Sequence, residues 1–391
     1  MKVEKEEALR RHKQHFGRPG QVFAAPARVN LIGEHTDYTG GFVMPMAIDF
    51  QTVAVVSGRE DGRAVFYSAN YDEEVGFEIA SLAKMPGGKW SDYPAGVLWS
   101  LCKEGVSVGG FSMSLMGDVP LGAGLSSSAS VEVATAMALL DHAKAELPLE
   151  KVATLCRRAE NEYVGAKSGI MDQFASAGCV AHRAMMLDCR SLAYELLPLP
   201  DEVRVVICNS MVKHAVATGE YGDRSAEVLA GQEVLQQERP GVELLRDATV
   251  EDLEACRDKM PIASYKRCRH IITENARVLK AREALLSGNM VRLGALMVEA
   301  HASVRDDFAA SCEEVDVLVT IANEQEACFG ARITGGGFGG CSVNVVCAEM
   351  AAEFVATVRQ QYAAKTGIDA DCFVCTPADG AFALASKGRV A

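Results

Sequence analysis

Residues 27–45 read ARVNLIGEHTDYTGGFVMP. Ala27, Val29 and Leu31 alternate with Arg28, Asn30 and Ile32, the period of a half-buried strand. The strand runs into a loop carrying Glu34, His35, Thr36 and Asp37, closed by Gly40 and Gly41. Four ionisable side chains, Arg28, Glu34, His35 and Asp37, therefore sit at the mouth of one strand. Carboxylates and an imidazole placed this way suit vicinal hydroxyls, which both donate and accept hydrogen bonds. A solvated polar loop would read the same. The HTD triplet supplies a single imidazole and no metal-ligand spacing.

Outward from this stretch, the first 16 residues predict a charged amphipathic helix. Strand signals then dominate to about residue 80: VFAAPARVNLI, FVMPMAIDFQTVAVVSG, RAVFYSAN and EVGFEIA. GFSMSLMGDVP predicts a further strand, and VEVATAMALLDHA and residues 149–163 predict helices. AMMLDCR, YELLPL and VRVVICNS return to strand character. Long helical patterns fill the chain from about 217 to 327. After a glycine cluster come strand, helix and strand: CSVNVVC, AEMAAEFVATVRQQYAAKTG and DCFVCTP. This pattern predicts two α+β domains, placed at 1–180 and 181–391.

The 391 residues are compatible with two to three domains of about 150 residues. Apolar residues make up 49% and charged residues 23%, which excludes a disordered or fibrous chain. Lys and Arg number 39 against 52 Asp and Glu, a net charge of −13. With no local basic patch, that balance argues against nucleic-acid and membrane-surface binding. There is no apolar run of transmembrane length, and MKVEKEEALRRHKQHFG lacks the apolar core of a signal peptide. The expected location is the cytoplasm. The 13 cysteines are odd in number and scattered, and CFVC at 372–375 has no second pair, so reduced thiols are expected.

Two glycine-rich segments complete the chemistry. PLGAGLSSSAS, residues 120–130, lies between a strand and a helix. Glycines let the backbone approach a ligand, and Ser126, Ser127 and Ser128 fall where helix N–H groups point outward, a site suited to phosphate. The segment lacks the lysine of a P-loop, and a serine-capped helix is the plain alternative. TGGGFGGC, residues 334–341, formally contains G-x-G-x-x-G. The CSVNVVC run beyond it is strand-like, so dinucleotide binding is rejected. Its glycines predict a backbone packed against a ligand phosphate or another strand. Glu160 falls in the apolar stripe of Leu149, Val152, Ala153, Cys156 and Tyr163, where a carboxylate needs a partner or a metal. Asp172, in SGIMDQ, suits the first turn of a short helix.

Together these segments resemble the galactokinases, members of the GHMP small-molecule kinases. RVNLIGEHTDYTGG is similar to the galactokinase signature, PLGAGLSSSAS to the GHMP phosphate loop and GGGFGG to the C-terminal glycine motif. The resemblance covers nearly the whole chain. It departs slightly at Thr39 and Met44, where many relatives have Asn and Leu. It implies the two-domain GHMP kinase fold with the active site in the cleft between the domains. It also implies ATP-dependent phosphorylation of galactose at the anomeric hydroxyl, with Mg²⁺ and a monomeric chain. Asp172 matches the catalytic base and Arg28 its charged neighbour. Glu34, His35, Asp37, Gly169, Asp172 and Tyr221 match sugar-binding positions. Trp90, Gly122, Gly124, Ser126, Ser127, Ser128, Gly336 and Gly337 match ATP-binding positions, and Ser128 and Glu160 match the magnesium ligands. A kinase for N-acetylgalactosamine, L-arabinose or galacturonate remains open at this point, as does a non-catalytic sensor of sugar and ATP.

Overall fold

The structure is a computed structural model. It describes residues 2–82, 87–120, 122–213 and 217–388, without the side chains at 213, 217–221 and 386–388. In chain order the strands are β1 (Gln21–Asn30), β2 (Phe42–Val43), β3 (Pro45–Gly58), β4 (Arg63–Ser68), β5 (Glu73–Glu78), β6 (Phe111–Gly117), β7 (Arg183–Asp188), β8 (Tyr194–Pro198), β9 (Val203–Lys213), β10 (Cys328–Thr334), β11 (Gly339–Cys347) and β12 (Asp371–Cys375). They form a five-stranded sheet in the order β1-β3-β6-β4-β5, a four-stranded sheet β10-β11-β9-β12 and a three-stranded sheet β2-β7-β8. β4 and β6 pair in parallel, which requires a crossover, and the helix Asp92–Lys103 lies on it. Sheets mixed with helices throughout both halves make this an α+β protein.

β1 departs from the half-buried reading. It is buried continuously from Ala24 to Asn30. On one side Ala27 and Val29 enter an apolar cluster with Val205 and Ile207 of β9 and Val343 and Val345 of β11. On the other side the helix Ser127–His142 packs over the strand, and Ser130 Oγ donates to Ala25 O at 2.8 Å. β1 is also an edge strand, with its register shift at Pro26, where a residue without an N–H is tolerated. The free edge takes up the 120–130 segment, as Arg28 N donates to Leu125 O at 3.2 Å. The sugar-like loop and the phosphate-like loop are thus joined along one strand.

The helix expected over 149–163 is α-helical only over Leu149–Arg158 and then widens into a π turn, Ala159–Val164. Such turns occur often at functional sites, and Glu160 lies in this one. Three elements went unread in the sequence: the helix Asp92–Lys103, β10 and the closing helix Ala381–Gly388. The first is buried almost all round, from Pro94 to Leu98 and again at Ser100 and Leu101, so it shows little amphipathic stripe. All thirteen cysteines are free thiols. Among the described residues no helix is long and apolar enough to cross a membrane.

Candidate active site

Arg28 leaves β1 and meets Asp172, in the first turn of the helix Met171–Gly178. The guanidinium forks the carboxylate, Nε to Oδ1 at 2.7 Å and Nη2 to Oδ2 at 2.8 Å. Its third nitrogen, Nη1, donates to Gly124 O at 2.7 Å. Ser126 Oγ donates to Asp172 Oδ2, and Ser126 has a left-handed backbone, φ +58°. The phosphate-like loop therefore touches the Arg28–Asp172 pair twice. Burial opposes charge on Arg28, but the Asp172 carboxylate outweighs it and keeps the guanidinium pKa above its usual value.

Asp37 lies in the short 3₁₀ turn Asp37–Thr39. Gly169 backs directly onto it, and a Cβ at 169 would sit 1.8 Å from Asp37 Oδ2. Burial, followed by the charges of Asp172 and Glu34, pushes the Asp37 pKa up to about 7. Glu34 is buried, and its Oε1 accepts hydrogen bonds from Thr334 Oγ1 at 3.2 Å and Gly335 N at 3.0 Å. The Arg332 guanidinium, 0% exposed, forms an ion pair with the same oxygen at 3.1 Å. The ring of His35 stacks on Phe308 with centroids 4.0 Å apart. Burial first, then the neighbouring His270 and Arg332, hold its pKa well below the usual value, so the imidazole is neutral.

Trp90 lines a cleft of about 930 Å³ together with Tyr71, Asn70, Leu115, Ser127 and Ser128. That size is ordinary for a small-molecule site. The Trp90 indole donates to Glu73 Oε2 at 2.8 Å and faces Tyr71 in a stacked arrangement. Gly122 and Gly124 have φ of +70° and +73°. The C-terminal glycine motif packs on backbone. A Cβ at Gly335 would lie 3.3 Å from Gly124 O, and one at Gly337 would lie 2.3 Å from Ala310 O. Gly336 is exposed. Tyr221 falls in the helix Ala217–Glu238, but its side chain lies outside those described.

Glu160 is 7% exposed, which agrees with its inward position in the stripe. Its Oε2 accepts from Ser168 Oγ at 2.5 Å and Gln173 Nε2 at 2.8 Å. Gln173 Nε2 also reaches Glu132 Oε2 at 3.0 Å. Glu132 is fully buried, and desolvation, followed by the charge of Glu160, raises its pKa well above the usual value.

Several of these residues escaped the sequence reading: Glu132, Gln173, Arg332, Thr334, Phe308 and the buried face of the helix Ile262–Leu286. On that helix His270 Nε2 meets Glu34 O at 3.1 Å, and Glu274 Oε1 accepts from Gly33 N at 2.8 Å. Asn275 Oδ1 accepts from Phe42 N at 2.8 Å. The signal was present: His270, Glu274 and Arg277 recur at spacings of four and three along the helix, a polar row on a face that also carries apolar residues. Such a row within a core helix marks something to be held in place.

A mixed half and a helix-rich half, a serine loop at a helix start, and an arginine-forked aspartate define a small-molecule kinase of the GHMP class. Residues 92–178 match the GHMP kinases N terminal domain and residues 281–363 the GHMP kinases C terminal domain. Residues 10–58 match the galactokinase galactose-binding signature. The chain is 39% identical over 384 residues to the galactokinase of Roseiflexus sp. (strain RS-1), covering 98% of each. It is 43% identical over 379 residues to that of Streptomyces coelicolor, covering 95% of this chain and 96% of the other. The crystal structure of Lactococcus lactis galactokinase complexed with galactose matches with a TM-score of 0.92 at 33% identity, covering 96% of this chain and 98% of that one. A Methanococcus jannaschii mevalonate kinase, at 19% identity and a TM-score of 0.63, shares the fold and covers 92% of this chain and 99% of its own. The chain belongs to the galactokinase family.

Proposed function

We propose that the protein transfers the γ-phosphoryl group of ATP to the anomeric hydroxyl of galactose. The products are α-D-galactose 1-phosphate and ADP, the first committed step of galactose utilisation by the Leloir pathway. The observation that carries this is Asp172, held between the sugar-like loop and the serine loop by Arg28 and Ser126. The two hydrogen bonds to Asp172 Oδ2 fill that oxygen, whereas Oδ1 accepts one and retains room for another. The sugar hydroxyl belongs at Oδ1, where the carboxylate accepts its proton or orients it. Glu34, His35, Asp37 and Gly169 form the sugar side, and Tyr221 is assigned to it by the resemblance alone. On Glu34 the Oε1 atom is taken, and Oε2, which accepts no hydrogen bond from the described residues, is assigned to the substrate. The triphosphate belongs along Gly122, Gly124 and Ser126–Ser128, with Gly336 and Gly337 opposite and the adenine beside Trp90. Arg28 and the helix start place positive charge where phosphoryl transfer needs it, since positioning and electrostatics carry most of the acceleration.

Among the described residues no group of three or more His, Cys, Asp or Glu side chains gathers as a metal site. The chemistry of Ser128 and Glu160 nevertheless suits Mg²⁺, which takes oxygen ligands and is commonly held by one or two carboxylates plus substrate phosphates. Glu160 Oε1 is engaged by no hydrogen bond within the described residues, while Gln173 and Ser168 fix Oε2. When bound, Mg²⁺ neutralises charge on the phosphate oxygens. Glu160→Ala is expected to raise the Mg²⁺ concentration needed for half-maximal rate by about tenfold or more, the lower end of losses on removing metal-site groups. An unchanged titration removes Glu160 from the metal site.

The proposal includes a monomer, as the resemblance implies, and a cytoplasmic location, which the thirteen free thiols support because they suit a reducing compartment. The test is ADP release from Mg-ATP across a panel of hexoses, pentoses and amino sugars, with phosphorus NMR of the product. Rapid release with galactose and not glucose, and phosphate on the anomeric oxygen, is the expected result. Release only with N-acetylgalactosamine, L-arabinose or galacturonate changes the substrate. Sugar binding with no release from any of them makes the protein a sensor.

A further inference from the structure

Glu34 bonds the sugar loop to the C-terminal glycine motif. Its Oε1 receives Thr334 Oγ1 and the backbone N–H of Gly335, and is ion-paired with Arg332. Thr334 and Gly335 stand where β10 ends and the glycine motif begins. The Gly335 N–H, which a phosphate-binding glycine loop would offer to its ligand, is spent on Glu34. One residue contact further on, Gly335 lies against the phosphate loop: its hypothetical Cβ would sit 3.3 Å from Gly124 O and 3.4 Å from Gly124 Cα. Gly124 O in turn accepts from Arg28 Nη1, the group that forks Asp172. A continuous chain of contacts thus runs from Glu34 through Thr334 and Gly335 to Gly124 and on to Arg28 and Asp172. Arg332 and Thr334, which brace it, are 0% and 2% exposed.

Packed interiors of this kind shift between arrangements rather than deforming freely. A sugar hydroxyl on Glu34 Oε2 fixes the carboxylate plane and with it the position of Oε1. That fixes Gly335 and the wall it forms against Gly124. Phosphates filling the serine loop fix the same wall from the other side. We infer that Thr334 is a positioning residue that couples the two substrate sites, so that galactose and the nucleotide each tighten the binding of the other. The inference rests on the galactokinase reading above. Arg332 serves the same coupling by pairing with Glu34 Oε1 against the glycine motif. By linkage the two enhancements must be equal, because the coupling belongs to the pair of ligands.

The test is calorimetric titration of the full chain with galactose, alone and at saturating Mg²⁺ with a non-hydrolysable ATP analogue. The converse titration of the analogue is made with and without galactose. In the wild-type protein each ligand is expected to tighten the other by the same factor, at least about 5-fold. Thr334→Val keeps the shape and removes the hydroxyl. It is expected to bring that factor close to one while the affinities for single ligands stay near those of the wild type. Thr334→Ser, which restores the hydroxyl, is expected to restore the coupling. A purely structural role for Thr334 would lower stability or both affinities alike and leave the factor intact, which would overturn the inference. Independent binding in the wild-type protein would overturn it without any variant. If galactose is phosphorylated normally but the factor is one, only the coupling falls. If galactose neither binds nor reacts, the galactokinase reading and the coupling fall together.

Discussion

Asp172 holds both of its oxygens in a fixed plane, and that plane is set by residues from other segments of the chain. Arg28 forks it from β1, and Ser126 anchors it from the serine loop. Asp172→Asn keeps the volume but loses the acceptor pair. Turnover is expected to fall by about 10²–10⁴-fold, the usual span of general base catalysis, while calorimetry still detects galactose binding. A variant with near wild-type kcat would remove the base role. Asp37 offers a second test, through pH. Burial and the neighbouring carboxylates raise its pKa to about 7 in the folded protein, against roughly 3.9 in an unfolded chain. Between those values the folded state binds more protons than the unfolded state, so this group's contribution to stability falls as pH rises through that window. Asp37→Asn, which cannot ionise, is therefore expected to match the wild type in stability near the unfolded value, at about pH 4. It should gain on it progressively up to about pH 7, with no further gain above. Urea unfolding at a series of pH values reads this directly, and a gap that does not widen with pH contradicts it.

At the scale of elements, close backbone approach sets the geometry of the second half. Gly294 on the helix Met290–Ser303 and Gly330 on β10 face each other, and a Cβ at 294 would lie 1.7 Å from Phe329 O. Gly294→Ala is expected to cost about 1–3 kcal/mol, as other overpacked substitutions do. A urea unfolding midpoint equal to wild type would show that the helix can step back freely. This contact also explains why β10 was hard to read. Its stretch CFGARIT carries a glycine that looks like a strand weakness and is in fact the place where the helix lands. Most other elements were legible because their periodicity survives folding: the first helix, β3, β6, β9, β11 and the long helices. The chemistry-bearing loops were legible for a different reason, since glycine, serine and acidic residues cluster there at short spacing. What the sequence hid was long-range. Nothing local to Thr334 or Arg332 announces that they meet Glu34, with Thr334 a full 300 positions away, and nothing in GIMDQF says that Gln173 joins Glu160 to the buried Glu132. The burial of both faces of β1 was hidden likewise, because alternation reports which residues share a face and not what covers each one.

For the molecule as a whole, we propose a division near residue 180 into units 1–180 and 181–391, and the structure makes those units dependent on each other. The three-stranded sheet crosses that point, because β2 at Phe42–Val43 pairs with β7 at Leu187 and Asp188. One apolar cluster draws Val29, Leu31, Met44 and Met46 from the first unit and Val205, Ile207, Leu293 and Val343 from the second. The end of the chain returns as well: Ala378 N donates to Ala47 O at 3.0 Å and Gly380 N to Cys179 O at 2.7 Å. Splitting the chain between 180 and 181 would expose the apolar side of β1 in one fragment and of β9 and β11 in the other. Each buried Val or Leu left in water forfeits about 1.5–3 kcal/mol, against a total stability of about 5–15 kcal/mol for a typical protein. The residues of that one cluster exceed the margin together. Neither fragment is expected to unfold cooperatively when expressed alone, whereas the intact chain should show one transition by tryptophan fluorescence and by far-ultraviolet circular dichroism. Two separate transitions in the intact chain, or a folded 1–180 fragment, would mean that the units stand without each other. The dependence has a functional consequence. The sugar loop is held from behind by the helix Ile262–Leu286 and by β10, and the serine loop by β1, so the cleft keeps its shape only while both units are in contact. The interface that keeps the chain folded is therefore also the one that holds the sugar loop in place.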